Sequence, residues 1–244
     1  MKKFDLISFA TAEELASQAA GAWLDEIESA DRAGHGHLVA LSGGRIAQKL
    51  FTSTVEQAKA RKNLLWPVHF FWADERCVPP TDPESNFKLA NELLLTPLKI
   101  SKNRIHRIWG EDPPETAAKI ASAAIRSAAF VNANGQPVLD LVLLGMGEDG
   151  HVASLFPDAT AEIVNHPGPF LFIDNSPKPP PRRISLSYAA IAAARQVWVL
   201  ISGAGKEEAL RESLDFSGKT PLAKVIELRQ NTLIFSQIEA GKII

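Results

Sequence analysis

A chain of 244 residues with 45% hydrophobic and 22% charged side chains has ordinary globular composition and enough apolar material for a continuous core, which excludes general disorder. A formal net charge of -2, with no long run of Lys or Arg, excludes the electrostatic footprint of a nucleic-acid binder or a membrane-surface protein, so any anion held here is a small one. The lone cysteine, Cys77, has no partner for an internal disulfide, and no stretch approaches the roughly 20 apolar residues that span a bilayer.

From the N-terminus, MKKFDLISFATAEELA interrupts its apolar run with Asp5, Ser8 and two glutamates, unlike a signal peptide, and the expected location is the cytoplasm. Apolar residues at three- and four-residue spacing predict helices over 12–29, 45–62, 85–95, 115–131 and 206–214. Between them, near-continuous apolar runs at 37–42, 68–74, 139–145 and 196–202 suit strands buried on both faces, and 170–174, 183–187 and 232–236 are weaker strand candidates. Short proline loops at 78–83, 112–114 and 176–181 punctuate this order without forming a linker. The alternation predicts an α/β fold: one domain over residues 1–244, with a doubly wound, mostly parallel sheet, helices on both faces, and a modified Rossmann-like character. Ligands of such sheets bind outside the carboxyl ends of the strands.

Four segments carry chemistry. Ser42, Gly43 and Gly44 follow a buried strand and precede a helix, where backbone amides and the helix N-terminus favour a phosphate. The same glycine pair also suits a plain tight turn. Asp74, Glu75 and Arg76 end the next strand, either as site groups or with Glu75 and Arg76 as a solvated ion pair. Cys77 reads as a small, partly buried thiol, since nothing places a base beside it.

The third segment is GMGEDGHVASLFP, where Gly145, Gly147 and Gly150 permit a tight path around Glu148, Asp149 and His151. Histidine titrates near neutrality, so it can take a proton from water and return one to a leaving oxygen. The fourth comprises two cations: Arg183, after a triple proline, and Lys206, after Gly203 and Gly205, a fork-like and a point-charge partner for phosphate. A cation at a helix start is disfavoured by the dipole, which a bound phosphate offsets.

In order and spacing, SGG, WADER with PPTDPESNFKLANELLL, GMGEDGHVASLFP, RISLSY and GAGKEEAL resemble the 6-phosphogluconolactonases over residues 42–210. The wider superfamily includes glucosamine-6-phosphate deaminases, which share a DGH tripeptide in a glycine loop that continues toward a further catalytic glutamate. Here Ser154, Leu155, Phe156 and Pro157 follow instead, as in the lactonases. The resemblance implies hydrolysis of 6-phospho-D-glucono-1,5-lactone to 6-phosphogluconate in the oxidative pentose phosphate pathway, with His151 as general base and Asp149 orienting the ring or its loop.

The implied phosphate partners are Ser42, Gly43, Gly44, Arg183 and Lys206, with Asp74 also on the substrate side. Oxyanion donors would come from the glycine loop or from Arg76. The family commonly continues SGG with a small hydroxyl residue and Pro, whereas Arg45, Ile46 and Ala47 stand here, so Arg45 either supplies a charge-assisted bond or points to solvent. No metal or cofactor is expected: the six histidines lack compact ligand spacing, and neither a P-loop nor a dinucleotide fingerprint is present. The expected partner is a small sugar-phosphate lactone, bound by a monomer or weak homo-oligomer. Two other readings stay open, an amino-sugar phosphate deaminase and a sugar-phosphate-binding regulator without catalysis.

Overall fold

The computed structural model describes residues 3–62, 65 and 67–239. The first half of the chain runs β1 (Phe4–Ser8), α1 (Ala12–Arg32), β2 (His37–Leu41), α2 (Arg45–Ala60), β3 (Val68–Trp72), β4 (Asp74–Arg76), α3 (Asn86–Ala90), α4 (Pro114–Ala128), β5 (Phe130–Val131) and β6 (Pro137–Val138). The second half runs β7 (Leu141–Gly145), α5 (Ala161–Val164), β8 (Phe170–Ile173), β9 (Arg183–Leu186), α6 (Tyr188–Ala193), β10 (Gln196–Ile201), α7 (Glu207–Leu214), α8 (Pro221–Leu228) and β11 (Thr232–Ser236).

Six strands form one parallel sheet in the order β1-β11-β10-β7-β2-β3, covered by helices on both faces. The four long apolar runs supply β2, β3, β7 and β10, whose residues are almost all buried, as a two-sided sheet requires. From β2 the chain steps outward to β3, while from β7 it steps the other way through β10 to β11, so the direction of winding reverses between β2 and β7. That reversal opens a crevice at the carboxyl ends of these two strands. Among the described residues no helix is long and apolar enough to cross a membrane.

Three local expectations need correction. The strand predicted over 68–74 ends at Trp72, because Ala73 links two sheets: its N–H donates to Leu41 O at 2.7 Å, and its carbonyl accepts from Leu186 N at 2.7 Å. Asp74–Arg76 then starts a separate antiparallel sheet, β4-β9-β8, which takes both of the weaker candidates at 170–174 and 183–187. The helix predicted over 85–95 is α only to Ala90 and widens into a π turn over Asn91–Leu95, and the helix predicted to 131 stops at Ala128, where Phe130–Val131 pairs with Pro137–Val138.

Candidate active site

The loops after β2, β3, β7 and β10 meet in the crevice, and the first three are shaped by the residues that make them. After β2, Ser42 Oγ donates to Leu143 O at 2.8 Å, which ties the ends of β2 and β7 together and occupies the hydroxyl that the sequence assigned to phosphate. Gly43 has no room for a side chain, since a Cβ there would sit 1.9 Å from Asn86 Oδ1. Gly44 caps α2 at φ 95°, a conformation only glycine takes cheaply. Helices α1, α3, α5, α6 and α8 are capped by Thr11, Ser85, Thr160, Ser187 and Thr220, while α2 and α7, which open onto the crevice, carry no side-chain cap, as is also true of α4 with its Pro114 start. The first N–H groups of α2 and α7 thus have no side-chain acceptor from their N-cap residues.

The second loop overturns the idea of a solvated Glu75–Arg76 pair. Glu75 is 2% exposed and accepts from the N–H groups of Arg76, Asn86 and Phe87, each at 2.8 Å, and from Ser85 Oγ at 3.1 Å. Burial pushes its carboxyl up to about 7, against the pull of those backbone donors toward the charged form. Glu75 thus anchors the start of α3 and aims Asn86 inward, where Asn86 Nδ2 donates to Asp74 O at 2.9 Å and to Asp74 Oδ1 at 3.2 Å. The other Asp74 oxygen accepts from Ser154 Oγ at 2.7 Å. Arg76 pairs with Glu84 through NH1, while its buried Nε has no hydrogen-bond partner among the described residues. Burial pushes the half-buried Cys77 thiol up to about 11, which favours its protonated form.

The third loop presents the histidine. Gly147 N donates to His151 O at 2.9 Å and Gly150 N to Gly147 O at 3.1 Å, so these amides hold the loop and are not free as oxyanion donors. His151 Nδ1 lies 2.5 Å from Asp149 Oδ1; a carboxylate there accepts only, so the ring proton sits on Nδ1 and the lone pair on Nε2. Among the described residues Nε2 has no hydrogen-bond partner, and the ring lines the crevice. Burial lowers the His151 pKa below its ordinary value, outweighing the upward pull of Asp149, and Lys178 lowers it further. At neutral pH the ring is therefore an uncharged base held in one tautomer.

Around this base the crevice encloses about 150 Å³. Ser42, Gly43, Gly44, Arg45, Asp74 and Arg76 line one part of it. Gly145, Gly147, His151, Arg183 and Lys206 line it too, beside Ile46, Asn86, Met146, Ala153 and Ser202, so the predicted site residues converge except for Asp149 and Gly150, which do not line it. Gly150 is at φ 75°, and a Cβ there would meet Thr220 at 2.7 Å. Lys206 is half-buried and donates to Met146 O at 2.6 Å; burial lowers its pKa, with Arg45 adding to the effect and Glu148 opposing it. Arg45 makes no ion pair or hydrogen bond among the described residues and reaches to 3.6 Å from where a Gly203 side chain would begin.

Arg183 spends most of its donors on the chain itself. Its Nε donates to Pro180 O at 3.0 Å and its NH2 to Lys178 O and Pro179 O at 3.1 Å each, so most of its fork braces the proline loop and only NH1 remains toward Ser154 and the crevice.

The model of the glucosamine-6-phosphate isomerase/6-phosphogluconolactonase family matches residues 10–235. The chain belongs to that family. Within it, the chain is 38% identical to the 6-phosphogluconolactonase of Treponema pallidum over 173 residues, 70% of each protein. It is 37% identical to that of Mycobacterium tuberculosis over 203 residues, 80% of each. The crystal structure of 6-phosphogluconolactonase from Thermotoga maritima superposes with a TM-score of 0.79 at 29% identity, covering 96% of this chain and 98% of that one.

For this family member, sequence reasoning missed Asn86 as a cleft residue, Ser154 as the hydroxyl on Asp74, and Lys178 beside Asp149. Ser85-Asn86 carries a helix-start signal, but its link to Asp74 and Glu75 appears only when the loops fold together.

Proposed function

We propose that this chain hydrolyses 6-phospho-D-glucono-1,5-lactone to 6-phosphogluconate, with His151 as the general base. The observation that carries this reading is the His151 ring, fixed by Asp149 through Nδ1 and open to the crevice through Nε2. The substrate phosphate lies against the uncapped start of α2 at Gly43 and Gly44, with Lys206 and Arg45 as its cations. His151 Nε2 takes a proton from water, and the water oxygen bonds to the lactone carbonyl carbon. Arg76, which lines the crevice, supplies the donor to the oxygen that becomes negative. When the bond to the ring oxygen breaks, Nε2 returns its proton to that oxygen, so no covalent enzyme intermediate forms. The reading carries with it a cytoplasmic, monomeric or weakly associating enzyme, in keeping with a lone half-buried cysteine.

Coupled detection of 6-phosphogluconate from freshly generated lactone, with the spontaneous rate subtracted, tests the activity. Turnover of the lactone and no ammonia from glucosamine 6-phosphate is the expected result. Ammonia release without lactone turnover would mean a deaminase, and tight 6-phosphogluconate binding without either activity would mean a regulator. In the same assay Arg45→Ala is expected to raise KM about fivefold at unchanged kcat, as loss of one solvent-screened phosphate contact requires.

A further inference from the structure

The loop over 176–181 is braced from several sides. Ser176 N donates to Pro181 O at 2.8 Å, Ser176 Oγ donates to Lys178 O at 2.9 Å and accepts from Lys178 N at 3.2 Å, and the Arg183 fork holds the carbonyls of Lys178, Pro179 and Pro180. All of these bonds use the Lys178 backbone or its neighbours, not the Lys178 side chain. That side chain is 42% exposed, yet its Nζ lies 3.5 Å from Asp149 Oδ1, the same atom that binds the His151 ring. Lys178 does not line the crevice.

We propose that Lys178 is a positioning residue: from a braced loop its ammonium shares Asp149 Oδ1 with the His151 ring, so the carboxylate orients the imidazole without drawing a proton onto it. This rests on the reading of His151 as the base. A carboxylate alone behind a histidine fixes the tautomer but also favours the imidazolium. A second cation on the same oxygen opposes that charge while leaving the hydrogen bond in place. The resting ring keeps its Nε2 lone pair, and once water has given up its proton the added like charge favours return of that proton to the leaving ring oxygen. The other charged groups facing the ring are Asp74 on β4, which favours its protonation, and Arg183 on β9, which stacks on the intervening Phe156. Lys206 at the start of α7 and Arg76 and Arg45 across the crevice complete the set.

The test titrates the His151 ring by NMR and, in parallel, measures kcat/KM against pH for wild type, Lys178→Met, Lys178→Gln and Lys178→Arg. The His151 signal is assigned among the six histidines by its loss in His151→Gln. In Lys178→Met and Lys178→Gln the ring titration and the acid limb of kcat/KM are both expected to move up by about half a pH unit at unchanged KM. Lys178→Arg is expected to restore both. An unmoved ring titration in the folded Met or Gln variant overturns the proposal, as does an even loss of rate at every pH, which would make Lys178 a loop brace only. The ring titration needs no turnover, so a shifted ring in a chain without lactonase activity would sink the lactonase reading while leaving Lys178 its positioning role.

Discussion

Replacing His151 with Ala is expected to lower kcat on 6-phosphogluconolactone by about a thousandfold while KM stays within the same range. A well-placed general base is worth roughly 10² to 10⁴ in rate, and His151 Nε2 has no hydrogen-bond partner among the described residues while burial holds the ring's pKa down. The phosphate is held elsewhere, by the start of α2 and the cations beside it, so the loss falls on the chemical step. The ring is half-buried against Phe156 at 4.7 Å between centroids, and its removal is expected to cost roughly 1 kcal/mol of stability, too little to unfold the chain. Steady-state kinetics beside a thermal melt separate the two effects.

The second large effect needs no change to a reacting group. A Cβ on Gly147 would lie 2.0 Å from His151 Nδ1, 2.1 Å from its Cε1 and 2.6 Å from Asp149 Oδ1. Gly147 is not at positive φ, so Gly147→Ala carries no backbone penalty, and its whole cost falls on the His–Asp pair. The ring must rotate or the loop must shift, and a displacement of about 1 Å at a reacting group costs about a hundredfold in kcat. Gly145 is the control two residues earlier. A Cβ there meets nothing within 4 Å and projects into the crevice, so Gly145→Ala is expected to act on KM and leave the pair intact.

The contrast between these glycines marks how far sequence alone reaches. The central strands were legible because a strand buried on both faces is apolar throughout, as in LVLLG and QVWVLI. The edge strand FDLIS was not, since it is half exposed, interrupted by Asp5, and owes its place to parallel pairing with Thr232–Ser236. Helices α6 and α8 also escaped notice, α6 because six residues are too few to show a period and α8 because it is apolar on nearly every side, although Ser187 and Thr220 cap them. Strand ranges at 170–174 and 183–187 were readable, but their sheet was not: Ala73 donates to one sheet and accepts from another, and nothing local encodes that.

In the site, a glycine loop around DGH announced His151, because few other reasons explain a titratable ring in so constrained a turn. What Glu75, Asn86, Ser154 and Lys178 do depends on contacts made across more than ten residues of chain or between separate loops. Glu75 looks like a surface charge in sequence and is instead the buried anchor of α3. Arg183 looks like a phosphate clamp, yet three carbonyls of a proline loop claim most of its donors. Lone residue types are poor guides where the partner is supplied by the fold.

The pH dependence of kcat/KM on fresh 6-phosphogluconolactone, for wild type and His151→Ala, tests the account most directly. Burial holds the folded pKa of His151 below 6.5, and the neutral ring is the active form, so activity is lost as pH falls through that lowered value and is level through neutrality. The account predicts one acid limb below pH 6.5 in the wild type that is absent from the residual rate of His151→Ala. A limb above pH 6.5, or one that survives in His151→Ala, would contradict it.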